Sequence, residues 1–168
     1  MIGTQTASSP VMAAYAILLL AVITGFAAYD LYKKRVPNLA LAFSIPVFLP
    51  APFLSAWSMG TGAPELAELA AHTAASLLGA AVGFGVLLCA ALLSKGGCGV
   101  GGGDIKLATL IGFAFGPYGM TGILLIASAL CIPAALLCRK ARAGPLSLPF
   151  VPFLAAGSGL ILIFQIFS

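Results

Sequence analysis

The stretch Val11–Tyr29 runs without one charged side chain, and runs of this kind return along the whole chain. A helix that crosses a bilayer needs roughly 20 mostly apolar residues. Six stretches approach that pattern, over residues 11–29, 39–57, 66–93, 105–117, 119–138 and 148–167, the fourth being the shortest. Little chain is left between them. Charged residues make up 7% of the 168, hydrophobic ones 61%, and the mean hydropathy is +1.14. A water-soluble domain carries about 25% charged residues, so this chain cannot coat itself for water. The expected fold is an all-α integral membrane protein, one membrane-embedded domain over residues 1–168 with about six transmembrane helices.

Local signals shape these spans. Pro46, Pro50 and Pro52 break the second, which should be kinked or partly irregular. Pro64 suits the first position of the third helix, with Glu65 and Glu68 well placed in its opening turns. Gly79 and Gly83 form a GxxxG step that allows close helix contact. The segment "GPYG", Gly116–Gly119, is expected to turn the fourth span into the fifth.

Charge then orients the spans. The eight cations fall in three clusters: Lys33-Lys34-Arg35, Lys95 with Lys106, and Arg139-Lys140 with Arg142. The N-terminal "MIGTQTASSP" has no Lys or Arg, whereas a secretory signal opens with positive charge. The first run therefore reads as a retained span that starts outside the cytoplasm. With both termini extracytoplasmic, the loops after spans one, three and five lie inside, and they hold all eight cations. This distribution leaves no basic soluble face, so no nucleic-acid partner is expected. The four cysteines contain no CxxC pair, and Cys131 and Cys138 sit two helical turns apart, as packing residues do. No metal site and no cofactor is expected. The glycine-rich "SKGGCGVGGGDIK", Ser94–Lys106, lacks the Lys-Ser/Thr ending of a phosphate-binding loop.

Few side chains remain for proton chemistry: Asp30, Asp104, Glu65, Glu68 and His72, besides the cysteines. In this topology Glu65, Glu68 and His72 lie at the outer face, where Glu68 and His72 can pair four residues apart. Asp30 and Asp104 share the inner face. Asp30 ends an apolar run and could bridge to Lys33 or Lys34; Asp104 precedes an apolar run and could cap its helix. Taken together they suit another role. Two carboxylates brought close cannot both ionise easily, so one keeps a proton while the other stays charged. A charged carboxylate can deprotonate a water while a protonated one activates a carbonyl. The dipole at a helix C-terminus disfavours charge on Asp30, which makes it the expected proton holder and Asp104 the base. A coupled pair nevertheless titrates as a unit. The glycines would let a substrate backbone approach and would permit unusual dihedrals, and Lys95 and Lys106 would bias the local field.

Asp30 followed by "LYKKRVPN", and "GGGDIKL" with Gly101, Gly103 and Asp104 in the GxGD positions, resemble the type IV prepilin peptidase family of membrane aspartic proteases. "LPFVPFLAAG", Leu148–Gly157, is similar to the proline-rich start of that family's last helix. The resemblance implies Asp30 and Asp104 as the catalytic pair, with Gly101, Gly103 and Lys106 in the surrounding motif. It implies precursors of type IV pilins or pseudopilins as substrates, and a short basic leader cut after a glycine at the cytoplasmic face of the inner membrane. Larger members carry paired CxxC motifs and also N-methylate the new terminus. The sequence reads as the shorter peptidase-only form, similar to those of tight-adherence (Flp-type) pili, without methyl transfer. Two other readings stay open: an archaeal-type preflagellin peptidase, and a small proton-coupled transporter or channel. The second needs ionisable groups in series through the bilayer, and here the acids gather at opposite faces. Oligomeric state is not readable from the residues.

Overall fold

The computed structural model describes residues 10–33, 38–59, 64–93, 101–141 and 150–167. Lys34, Arg35, Lys95, Cys98 and Arg142 lie outside the described residues, as do the first half of the glycine loop and the side chains of Arg139 and Lys140. The charge-based sidedness of those loops therefore rests on the sequence. Every described element is helical: α1 (Pro10–Lys33), α2 (Asn38–Phe48), α3 (Ala51–Met59), α4 (Leu66–Leu93), α5 (Gly102–Ala141) and α6 (Val151–Phe167). Among the described residues, four stretches are long and apolar enough to cross a membrane: Val11–Lys33, Asn38–Trp57, Leu66–Leu93 and Gly102–Ala135, with Val151–Phe164 a shorter apolar helix. Large apolar side chains such as Ile17, Leu78 and Leu125 face outward, which suits a lipid surround.

The helices depart from the six expected stretches in instructive ways. The second is two helices, α2 and α3, separated at Leu49-Pro50. That break deprives Val47 of its helical N–H partner, and the Tyr15 hydroxyl of α1 donates to the Val47 carbonyl at 3.0 Å instead. The expected fourth and fifth spans are the two halves of α5, interrupted at Gly116, whose φ of 69° only glycine adopts readily. Pro117 follows directly and has no N–H to continue the ladder. The bend is sharp. A Cβ at Gly83 would meet both the Ala108 carbonyl oxygen and the Met120 side chain within 3 Å. A straight helix would hold Ala108 and Met120 roughly 18 Å apart, so the chain folds back at Gly116 and both halves pack on α4.

Small residues set the central contact. Gly79 and Gly83 of α4 are buried against α5, with Gly79 facing Gly112 and Gly116 backbone to backbone. The GxxxG step thus joins two helices of one chain. In turn α6 packs on the second half of α5, Gly157 against Ile123, and on α1, Gly159 against Leu20. Ile23, Phe48, Leu107, Ile111, Ile123 and Leu154 fill the shared core. Hydroxyls spend their hydrogen bonds locally, as in Thr24 to Leu20, Thr109 to Ile105 and Ser158 to Ala155. That leaves few polar groups bare within the apolar layer.

Candidate active site

Asp30 and Asp104 are carried by α1 and α5, which share no substantial contact of their own; α6 and α2 are what connect them. Asp30 is 3% exposed and sits one turn before the end of α1. Lys33 does not bridge to it and instead lies over the Tyr29 ring, 5.7 Å from the centroid. The partner of Asp30 is the start of α6. A helix begins with four backbone N–H groups that have no helical acceptor, and in α6 each is accounted for. Val151 donates to the Asp30 carboxyl, Pro152 has no N–H, and Phe153 and Leu154 donate to the Phe150 carbonyl at 3.1 and 3.2 Å. The other carboxyl oxygen of Asp30, Oδ2, is buried without a hydrogen-bond partner among the described residues.

Asp104 stands at the third residue of α5 rather than just before the helix. Gly101 is the residue that caps it, its carbonyl accepting from Asp104 and Ile105 at 3.0 and 3.3 Å. The Asp104 carboxyl folds back to accept the Gly101 N–H, which is the acid half of a capping box. The capping role expected for Asp104 is therefore real, one turn further in. Asp30 and Asp104 are close enough to interact electrostatically.

Both carboxyls therefore meet the positive end of a helix dipole, Asp30 at α6 and Asp104 at α5. The dipole argument that singled out Asp30 as proton holder considered α1 alone and loses its basis once α6 arrives. The expectation of unusual dihedrals in the glycine motif also changes. Gly101, Gly102 and Gly103 do not use a positive φ, since Gly116 is the one described glycine that does. What the motif supplies is space, because Gly101 and Gly102 are exposed and a Cβ at Gly102 would meet nothing within 4 Å.

Lys106 projects away from Asp104 and donates from Nζ to Asn38 Oδ1 at 3.0 Å, joining the start of α5 to the start of α2. Sequence reasoning missed two partners here, Val151 and Asn38. Pro152 at the head of an apolar run marks a helix start, but nothing in the residues says which side chain the Val151 N–H meets. The second had no signal beyond its place after "VP".

At the other end of α4, His72 Nδ1 meets Ser55 Oγ at 3.2 Å rather than Glu68. Both line a cavity of about 860 Å³ with Ser76, Phe115, Gly116 and Phe164. Gly116 lies about 18 Å along α5 from Asp104, so this cavity and the acids are separate features.

A family model described as the type IV leader peptidase family matches residues 13–136. A "Prepilin leader peptidase/N-methyltransferase" of Bacillus subtilis (strain 168) is 33% identical over 150 residues, which cover 85% of this chain and 52% of the relative. The chain thus spans about half the length of the curated relative it matches. No solved structure matches.

Proposed function

The chain belongs to the type IV leader peptidase family, and we propose that it is an aspartic endopeptidase in which Asp30 and Asp104 jointly activate a water. The observation that carries this reading is that the two acids, on helices without substantial mutual contact, lie close enough to interact electrostatically, one of them buried with a carboxyl oxygen that has no hydrogen-bond partner among the described residues. The substrates are prepilins or pseudopilins. Their short basic leader is removed at the cytoplasmic face of the inner membrane, where the three cationic loops also lie.

The chemistry needs one proton between the two carboxyls. The ionised group takes a proton from water as its oxygen attacks the scissile carbonyl carbon, and the protonated group donates to the carbonyl oxygen. The tetrahedral intermediate collapses when the amide nitrogen takes the proton that the first carboxyl drew from water, the C–N bond breaks, and one hydroxyl of the intermediate returns its proton to the second carboxylate. Val151 N–H and Gly101 N–H hold the two carboxyls in orientation throughout. The exposed glycines leave room for an extended substrate backbone beside Asp104. The membrane arrangement in this reading has six crossings, with α2 and α3 together making the second and the bend at Gly116 separating the fourth from the fifth. Of the two activities in the relative's name, the reading takes the peptidase alone.

The test incubates detergent-purified protein with a peptide bearing a basic leader that ends in glycine. Asp30→Asn and Asp104→Asn should each abolish leader release while the protein stays folded. Full cleavage by either variant refutes the pair, and methyl incorporation into the product refutes the division of activities.

A further inference from the structure

We infer that Lys106 and Asn38 form a positioning latch that sets the separation of the two acids, an inference that rests on the peptidase reading above. The need for such a device follows from the packing. α1 and α5 carry Asp30 and Asp104 without substantial contact between them, so the gap between the carboxyls is fixed chiefly through intermediaries. One is α6, whose Val151 N–H holds Asp30. The other is α2, which begins at Asn38, a short step beyond the end of α1, and packs chiefly on α5.

Lys106 cannot serve Asp104 directly. Side chains two residues apart on a helix do not face each other, and Lys106 instead reaches 68 residues back in sequence to Asn38 Oδ1 at 3.0 Å. That bond crosses from the first turns of α5 to the first residue of α2. It therefore ties the start of α2, eight residues after Asp30, to the turn that carries Asp104. Both partners are exposed at the rim, so the bond adds little to global stability. Its effect is local, because a carboxyl displaced by about 1 Å costs catalysis heavily.

The experiment has two arms. In the first, Lys106→Met and Asn38→Ala should each lower kcat about tenfold, the range reached when a hydrogen bond to a charged group is lost, with KM nearly unchanged. The double variant should be no worse than either single one, and Lys106→Arg should recover much of the rate. In the second, spin labels are placed at Tyr32→Cys and Gly102→Cys in protein whose native cysteines are replaced by alanine. Tyr32 is 87% exposed and a Cβ at Gly102 meets nothing within 4 Å, so both labels fit. Lys106→Met should broaden the inter-label distance distribution and Lys106→Arg should narrow it again. A rise in KM alone on losing Lys106, with Asn38→Ala silent, would make Lys106 a substrate contact and overturn the latch. An unchanged distance distribution in Lys106→Met would also overturn it. If the parent protein cleaves nothing, the peptidase reading fails, while the label distances still decide whether the latch exists.

Discussion

Adding one methyl group at Gly79 should disturb both the fold and the acids. A Cβ there would lie 2.5 Å from the Gly116 carbonyl carbon and closer still to the Gly112 carbonyl oxygen, where ordinary contact begins at 3.4 Å. Both obstacles are backbone, so no rotamer change relieves them, and α4 and α5 must part by roughly 1 Å. Overpacking of this kind costs about 1–3 kcal/mol, offset by the ~1 kcal/mol that alanine gains over glycine inside a helix. A backbone clash belongs at the upper end, so Gly79→Ala should destabilise by roughly 2 kcal/mol net. The disturbance also travels. Gly112 lies about 12 Å along α5 from Asp104, close enough for a rigid helix to carry part of the shift to the carboxyl. Misplacement by 1 Å can cost about a hundredfold in rate, and partial transmission should leave cleavage at least tenfold slower. The assay pairs thermal unfolding in detergent with leader-release rates. Gly25→Ala and Gly85→Ala are the matched controls, since a Cβ at either meets nothing within 4 Å. Should Gly79→Ala melt and cleave as these controls do, the reasoning from backbone contact is wrong.

Two further predictions concern the start of α6. Asp30→Asn keeps an oxygen that can accept the Val151 N–H, whereas Asp30→Ala leaves that donor orphaned. Thermal unfolding should find Asp30→Ala less stable than Asp30→Asn by about 1–2 kcal/mol, and equal melting would deny Asp30 its capping role. Val151→Pro removes the donated N–H at a first helical position that suits proline. It should slow cleavage about tenfold while far-UV helicity is kept, and an unchanged rate would mean that this N–H does not orient Asp30.

What could be read in advance follows what short-range chemistry dictates. Apolar run length marked the helices, of which four stretches among the described residues are long enough to cross a membrane, and the GxxxG spacing marked the face of α4 that meets α5. Asp30 and Asp104 stood out because a chain with four acids keeps two beside its cationic loops. The misses come from long-range geometry. The bend at Gly116 was legible as a turn, but its continuous helical flanks depend on how both halves pack on Gly79 and Gly83. Helical spacing allows His72 to pair with Glu68, but His72 meets Ser55 of α3. Val151 was invisible as a partner because a backbone N–H belongs to every residue except proline, and only the arrival of α6 beside α1 selects this one.

That last miss bears on how the acids must be tested. Each carboxyl closes the start of a helix, Asp30 for α6 and Asp104 for α5. In an apolar surround an orphaned N–H is costly, so neither acid can be deleted without also removing a cap. Loss of activity on substitution by alanine would thus confound chemistry with folding. Asparagine keeps the acceptor and removes the ionisable group, so it separates the two roles. If the acids only cap, both asparagine variants will cleave; if they also share a catalytic proton, both will fold and neither will cleave.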